Sequence, residues 1–228
     1  VSTAGRRYDE QDPVTAGAKR LALIGGGGFS KEIAEVAQMR GYTVEATYSS
    51  QPTAQVGTYR GYLDELLTDR AAYDGVALAV GGVSRAAIQA RAEIIAWLDR
   101  HALPCPPLVS PHAIVSQGVT LGVGAFVAHG VIVNVDAQLG RFCVVNTAAI
   151  IGHDAAIGDN TTISPAAFIG GRCAIGTDGL VGPLAKVLQG IKVGDRSMIG
   201  MGCTVLRTVP DDAVVWPRPD NYGASSVS

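Results

Sequence analysis

Between residues 109 and 208 an apolar side chain returns at every sixth position without a break: Val109, Val115, Leu121, Val127, Val133, Leu139, Val145, Ile151, Ile157, Ile163, Ile169, Ile175, Val181, Val187, Val193, Ile199 and Val205. In a chain that is 47% apolar, seventeen successive matches in one phase would arise by chance on the order of a few times in a million, so this period outranks local propensity. A second register, two residues earlier, is mostly small: Ala113, Ala125, Ala137, Cys143, Ala149, Ala155, Thr161, Ala167, Cys173, Ala185, Ser197 and Cys203. A third, three residues after each aliphatic, includes Gly118, Gly124, Gly130, Asp136, Asp154, Asn160, Asp178, Gly190 and Gly202, types that tolerate left-handed backbone. Each hexad reads as a short strand and a corner. Three hexads close a triangular coil, and roughly five and a half coils stacked about 4.8 Å apart make a prism with a parallel sheet on each face.

The chain before the prism has a different pattern. Apolar strands are expected at 20–24, 42–48 and 76–80, and helices at 29–40, 62–68 and 84–101. The alternation β-α-β-α-β-α predicts a small parallel sheet with helices on its faces, an α/β domain over 19–107. Pro104, Pro106 and Pro107 mark its junction with the prism, 108–209. Residues 1–18 lack periodicity and read as a flexible arm. In 210–228 the period fails at Asp211, and Trp216 is expected in a cap and tail over the end of the stack.

Composition narrows the function. A net charge of −2 over 228 residues gives no basic footprint for nucleic acid, and no apolar run is long enough to span a membrane. Three of the four cysteines, Cys143, Cys173 and Cys203, fall in the small interior register, and Cys105 lies in the Pro-rich connector. Buried thiols in a reducing, cytoplasmic compartment are the expectation.

Two stretches could carry chemistry. The turn Gly25–Gly28 joins a strand to a helix, where unshielded N–H groups favour a phosphate. It matches a dinucleotide fingerprint only loosely, since Ser30 holds the third glycine position, and a tight packing turn explains it as well. The second is His153, followed by Asp154. A carboxylate beside an imidazole can orient it to take a proton from an amine or hydroxyl. His129 shares the hexad position, and either histidine could equally be an idle surface corner. Four hexads separate the two where three close a coil, so they stand on different corners, which disfavours a zinc site within one chain.

Four segments carry a resemblance: LIGGGGFSKEIAEVA, the turn Gly81-Gly82-Val83-Ser84-Arg85, LVSPHAIVS, and above all NTAAIIGHDAAIGD from Asn146 to Asp159. Over about residues 19–218 the chain resembles the bacterial sialic-acid O-acetyltransferases and nucleotide-amino-sugar N-acetyltransferases. The resemblance implies a Rossmann-like domain followed by a left-handed β-helix, assembled as a homotrimer with acetyl-CoA lying along the prism between subunits and no metal. It makes His153 the general base and Asp154 its orienting carboxylate. Gly171, three hexads and so one coil further on, becomes the backbone donor to the acetyl carbonyl, with Gly170 beside it. Gly26, Gly27, Gly28, Gly81 and Gly82 would hold a small-molecule sugar acceptor through its diphosphate, and Asn146, Thr162 and His129 are further candidates.

The chain departs from the family pattern where an acidic pair would follow the second strand, at Ser49-Ser50, where a second histidine would stand, at Thr162, and before the base, at Gly152. An acetyl-CoA-dependent N-acetyltransferase of a nucleotide-linked amino sugar is expected. An O-acetyltransferase of a sialic-acid-like sugar and a non-catalytic ligand-binding relic are the alternatives.

Overall fold

The computed structural model describes residues 6–7 and 19–217. From Leu108 to Val205 the chain forms two-residue strands, one per hexad, arranged in three sheets. Each strand pairs in parallel with the strand three hexads further along, as Val133 does with Ile151 and Ile151 with Ile169. The result is a parallel β-solenoid of about six turns. We call its faces the first, which begins at Leu108–Val109, the second, which begins at Ile114–Val115, and the third, which begins at Thr120–Leu121.

The two inward registers account for the interior. Val127, Val133, Val145, Ile151, Ile163 and Ile169 are fully buried, as are the small residues Ala125, Ala137, Cys143, Ala149 and Thr161. Burying such an aliphatic side chain stabilises the fold by about 1.5–3 kcal/mol. From Gly118 to Gly202 every corner residue of the third register has positive φ, including Phe142, Ala148, Ala166, Arg172, Leu184 and Arg196, whose types do not announce it. The left-handed conformation costs a non-glycine residue about 1–2 kcal/mol. The compensation is a coil-to-coil hydrogen bond from the N–H of that residue, as from Asp154 to the carbonyl of Val135 and from Arg172 to that of His153.

Two expectations at the ends need correction. The arm is not wholly without structure, because a strand β1 (Arg6–Arg7) pairs antiparallel with Thr120–Leu121 and covers the open edge of the third face. The rest of 1–18 lies outside the described residues. At the other end the hexad phase breaks after Val205 but the solenoid continues: Val209 bridges Val193, and Val214–Val215 pairs with Met198–Ile199. The chain has shortened one corner by two residues and resumed its path. Trp216 lies against Gly200 on the preceding coil and stays 70% exposed, so it covers little of the stack; 218–228 lie outside the described residues.

The N-terminal part is a four-stranded parallel sheet. Its strands β2 (Lys19–Ile24), β3 (Tyr42–Tyr48), β4 (Thr58–Tyr59) and β5 (Gly75–Leu78) lie in the order β4-β3-β2-β5. The two-residue β4 had no hydrophobic signature to announce it. Helices α1 (Phe29–Met39), α2 (Leu63–Asp69) and α3 (Arg85–Arg100) follow the expected pattern, and Ser84 caps α3 by accepting the N–H of Ala87. Leu21 and Leu23 share a core with Ile33, Val36 and Ala37 of α1, while Ala22 and Ile24 pack with Leu66 of α2 and Ile94 and Leu98 of α3. This alternation is that of a sheet buried on both sides.

The sheet is anchored on the first face of the solenoid. Phe29 meets Phe126 edge to face with centroids 5.5 Å apart. The guanidinium of Arg91, 1% exposed, donates to Asn160 Oδ1 and to the carbonyls of Val80 and Phe142, and Asn160 in turn donates to Ile88 O and Asp178 Oδ1. Burial pulls Arg91 down to about 10, still well above neutrality, so a charged clamp joins α3 and the end of β5 to the prism.

Candidate active site

His153 stands at the corner between the second and third faces, just past Ile150–Ile151. Its Nδ1 lies 2.7 Å from Asp154 Oδ2, and both side chains are about half exposed. Asp154 occupies the left-handed corner position that immediately follows the histidine. With Nδ1–H held by the carboxylate, Nε2 is left as the free basic nitrogen. Its direction is set by the coil above: a Cβ built on Gly171 would fall 2.5 Å from Nε2. Glycine is needed there to make room for the imidazole.

The same corner leaves a donor free. On the corner between the third and first faces, the equivalent N–H groups of Arg141, Thr177 and Asp195 are taken by the carboxylates of Asp159, Asp195 and Asp211. Gly171 has no such carboxylate above it, since Gln189 stands there, and among the described residues its N–H has no partner. An unpaired N–H one coil above a carboxylate-held imidazole is suited to an oxygen that gains charge while the base removes a proton. Gly170 uses its own N–H in the ladder to Val187. Asp154→Asn is expected to lower kcat about ten- to a hundredfold, by weakening the hold on the Nδ1–H tautomer, while sparing KM; water can replace part of this half-exposed contact. Steady-state kinetics with the histidine intact measure it.

The glycine turn lines a cleft of about 390 Å³ at the carboxyl ends of β2, β3 and β5, together with Ser49, Ser50, Gln51, Tyr62 and Gly81. Its four glycines divide. Gly25 (φ +118°) lies against Ala79 and Gly26 against the Thr53 carbonyl, so close packing explains both. Gly27 and Gly28 have nothing within reach of an added Cβ and open into the cleft at the start of α1, where no side chain caps the helix. Ser49 is buried, its hydroxyl donating within the loop to the carbonyls of Gln51 and Thr53, whereas Ser50 is exposed.

Other candidates lie elsewhere. Gly82 and Thr162 pack against each other at the junction of the two domains, where Thr162 Oγ1 is buried without a hydrogen-bond partner among the described residues. Thr162 is on the first face and nowhere near the His153 corner of its own chain. Asn146 and His129 share the corner between the first and second faces. There His129 Nδ1 is 2.6 Å from Ser110 Oγ and its Nε2 is 3.5 Å from Glu35 Oε2, contacts that hexad spacing could not reveal. Among the described residues no group of three or more His, Cys, Asp or Glu side chains could hold a metal. All four cysteines are free and buried, and burial raises each thiol, Cys105 and Cys143 to about 12, which disfavours the thiolate that covalent acyl transfer needs.

Fold and corner define a hexapeptide solenoid with a carboxylate-held imidazole on its surface. No protein-family model matches the chain, and no curated protein matches it in sequence. Solved structures do. A perosamine N-acetyltransferase from Caulobacter crescentus, in complex with CoA and GDP-perosamine, is 28% identical over 88% of this chain and 93% of its own, with a TM-score of 0.80. The acetyltransferase domain of PglB from Neisseria gonorrhoeae is 27% identical over 88% of this chain and 98% of its own, with a TM-score of 0.78, and has also been solved with acetyl coenzyme A. WeeI from Acinetobacter baumannii shares the fold, at 20% identity and a TM-score of 0.78. The first two are acetyltransferases, the first of them named for the amino sugar perosamine.

Proposed function

We propose that this chain is an acetyl-CoA-dependent acetyltransferase that N-acetylates a nucleotide-linked amino sugar. The observation that carries the reading is the imidazole of His153, held by Asp154 directly beneath the unpaired N–H of Gly171. In the reaction the acceptor nitrogen attacks the thioester carbonyl while Nε2 takes its proton. The Gly171 N–H meets the oxygen as it becomes negative, and collapse of the tetrahedral adduct expels the CoA thiolate, which recovers a proton from the imidazolium. No residue needs to carry the acyl group. The neighbours that hold CoA and GDP-perosamine support both substrates, and, following the family resemblance of the sequence, we read the N-terminal sheet as Rossmann-like and the solenoid as left-handed.

Within one chain the parts do not meet. The cleft belongs to the domain seated on the first face, and His153 stands on the opposite corner, between the other two faces. The second face between them is uncovered and its first four coils are apolar: Ile114 is 63% exposed and Phe168 42%, in one column with Ile132 and Ile150, before Lys186 and Thr204 end it. Burying such a column is favourable. Three copies that turn this face to a common axis bring the His153 corner of each against the next copy's corner of Asn146 and His129, beside that copy's cleft. A homotrimer therefore completes the site, and we assign the protein to the cytoplasm, where acetyl-CoA and nucleotide sugars are available. Among the described residues no helix is long and apolar enough to cross a membrane.

The test combines binding with turnover. UDP-, dTDP- and GDP-linked amino sugars are screened by thermal shift beside free amino sugars and sialic acid, with thiol release as the activity readout. Saturable stabilisation by a nucleotide sugar and its N-acetylation are expected. Gly27→Asp, which places a carboxylate where the diphosphate would lie, is expected to weaken that binding by at least about tenfold through like-charge repulsion. Response only to free sialic acid, with O-acetyl product, would select the alternative reading.

A further inference from the structure

The loop that leaves β3 decides what the cleft can hold beside a diphosphate. In open α/β sheets a carboxylate about twenty residues beyond the glycine turn, at the end of the next strand, receives the 2′-hydroxyl of a bound ribonucleotide. Here that end carries Ser49. Its N–H donates to the Gly61 carbonyl, and its buried hydroxyl donates within the loop to the carbonyls of Gln51 and Thr53. The Thr53 carbonyl lies in turn against Gly26. The loop is thereby drawn down on the glycine turn, with its one buried hydroxyl proton used inside it.

The rest of the lining is uncharged. Phe29, Val80, Ala90 and Ile94 give apolar walls, and Gln51 and Tyr62 are the larger polar side chains. Burial and the charge of Glu93 hold the Tyr62 hydroxyl above the usual phenol range, so it stays neutral. Among the described residues no Asp, Glu, Lys or Arg side chain lines the cleft.

Resting on the nucleotide-linked acceptor proposed above, we infer that its sugar is carried on a 2′-deoxypyrimidine nucleoside diphosphate, of which dTDP is one, in preference to UDP or a guanosine carrier. A ribose 2′-hydroxyl laid at the end of β3 loses water and meets no carboxylate, whereas a deoxyribose places only a methylene there. Guanine presents adjacent N–H donors from its ring and its amino group, which suit the two oxygens of a carboxylate; the Gln51 amide has one acceptor oxygen. The imide edge of uracil or thymine sets an N–H beside a carbonyl and matches the oxygen and NH2 of an amide together.

The test measures binding of free nucleoside diphosphates to the intact protein by calorimetry, without acetyl-CoA, so that turnover does not enter. dUDP is compared with UDP, which adds only the 2′-hydroxyl, and with dGDP, which changes only the base. UDP and dGDP are each expected to bind at least about fivefold more weakly than dUDP, the effect of one desolvated polar group left unpaired. Ser50→Asp, at an exposed position of the same loop in the cleft lining, supplies a carboxylate without burying one. It should narrow the gap between UDP and dUDP at least about twofold. A smaller gap in either native comparison, or a UDP gap that Ser50→Asp leaves unmoved, overturns the inference and leaves acetyl transfer standing. Binding of none of the three retires the nucleotide-linked acceptor, and this inference with it.

Discussion

His153→Ala should lower kcat for acetyl transfer by about a hundred- to ten-thousandfold, the range a positioned general base supplies. The acceptor attacks as its neutral amine, and the attacking nitrogen must lose a proton as the bond to the carbonyl forms. Without Nε2 that proton has only water to go to. KM for acetyl-CoA should change little, because the ring contacts the reacting atoms and not the length of the donor. The thermal midpoint should also hold, since the side chain is 44% exposed and its one hydrogen-bond partner, Asp154, is 53% exposed. Thiol release measured on protein of verified melting temperature decides it; undiminished turnover would leave the corner without a catalytic role.

Gly171→Ala is the second large effect. The added Cβ would sit 2.5 Å from Nε2, 2.7 Å from Cδ2 and 2.9 Å from Cε1 of His153, so the ring has to swing away from both the acceptor and the donor N–H above it. Gly171 does not occupy left-handed backbone, and the three atoms nearest the added Cβ all belong to this ring. A fall in kcat of at least about a hundredfold is expected, from misplacing a base and crowding an oxyanion donor together. The control is internal to the repeat. Gly190→Ala, at a corner with no atom within 4 Å of the added Cβ but with φ +74°, should cost stability through its backbone and leave kcat near native. Equal losses of kcat in both would mean that corner strain, and not the imidazole, is what the Gly171 variant reports.

The period of six was enough to locate the coils, the buried Ile and Val ladder, the small interior register and the three buried cysteines within it, because a repeated backbone imposes the same environment once per coil. It also put His153 beneath Gly171 and separated it from His129. The corners were less legible. Phe142, Arg172 and Leu184 adopt positive φ only because a hydrogen bond to the coil below holds each in place, a nonlocal cause that residue type does not record. The same holds for the end of the stack, where pairing with Met198–Ile199 recaptures Val214–Val215 after the phase has slipped by two.

The glycine turn shows the division most clearly. Four consecutive glycines look equivalent as text, and both a packing turn and a phosphate cradle fit them. Packing separates them: Ala79 and the Thr53 carbonyl, brought in from the loops that follow β5 and β3, claim Gly25 and Gly26, leaving Gly27 and Gly28 to the cleft. Thr162, placed by motif spacing among the candidates near the base, is instead sealed under Gly82 by the docking of the N-terminal domain. Arg91 had no distinguishing neighbours in sequence, and its role as a buried clamp depends on Asn160 and Phe142, which reach it only through the solenoid's fold. Local periodicity governs what a residue meets within its own repeat. Which face the N-terminal domain covers, and so which corner stays open for chemistry, is settled by contacts between segments whose separation follows no period.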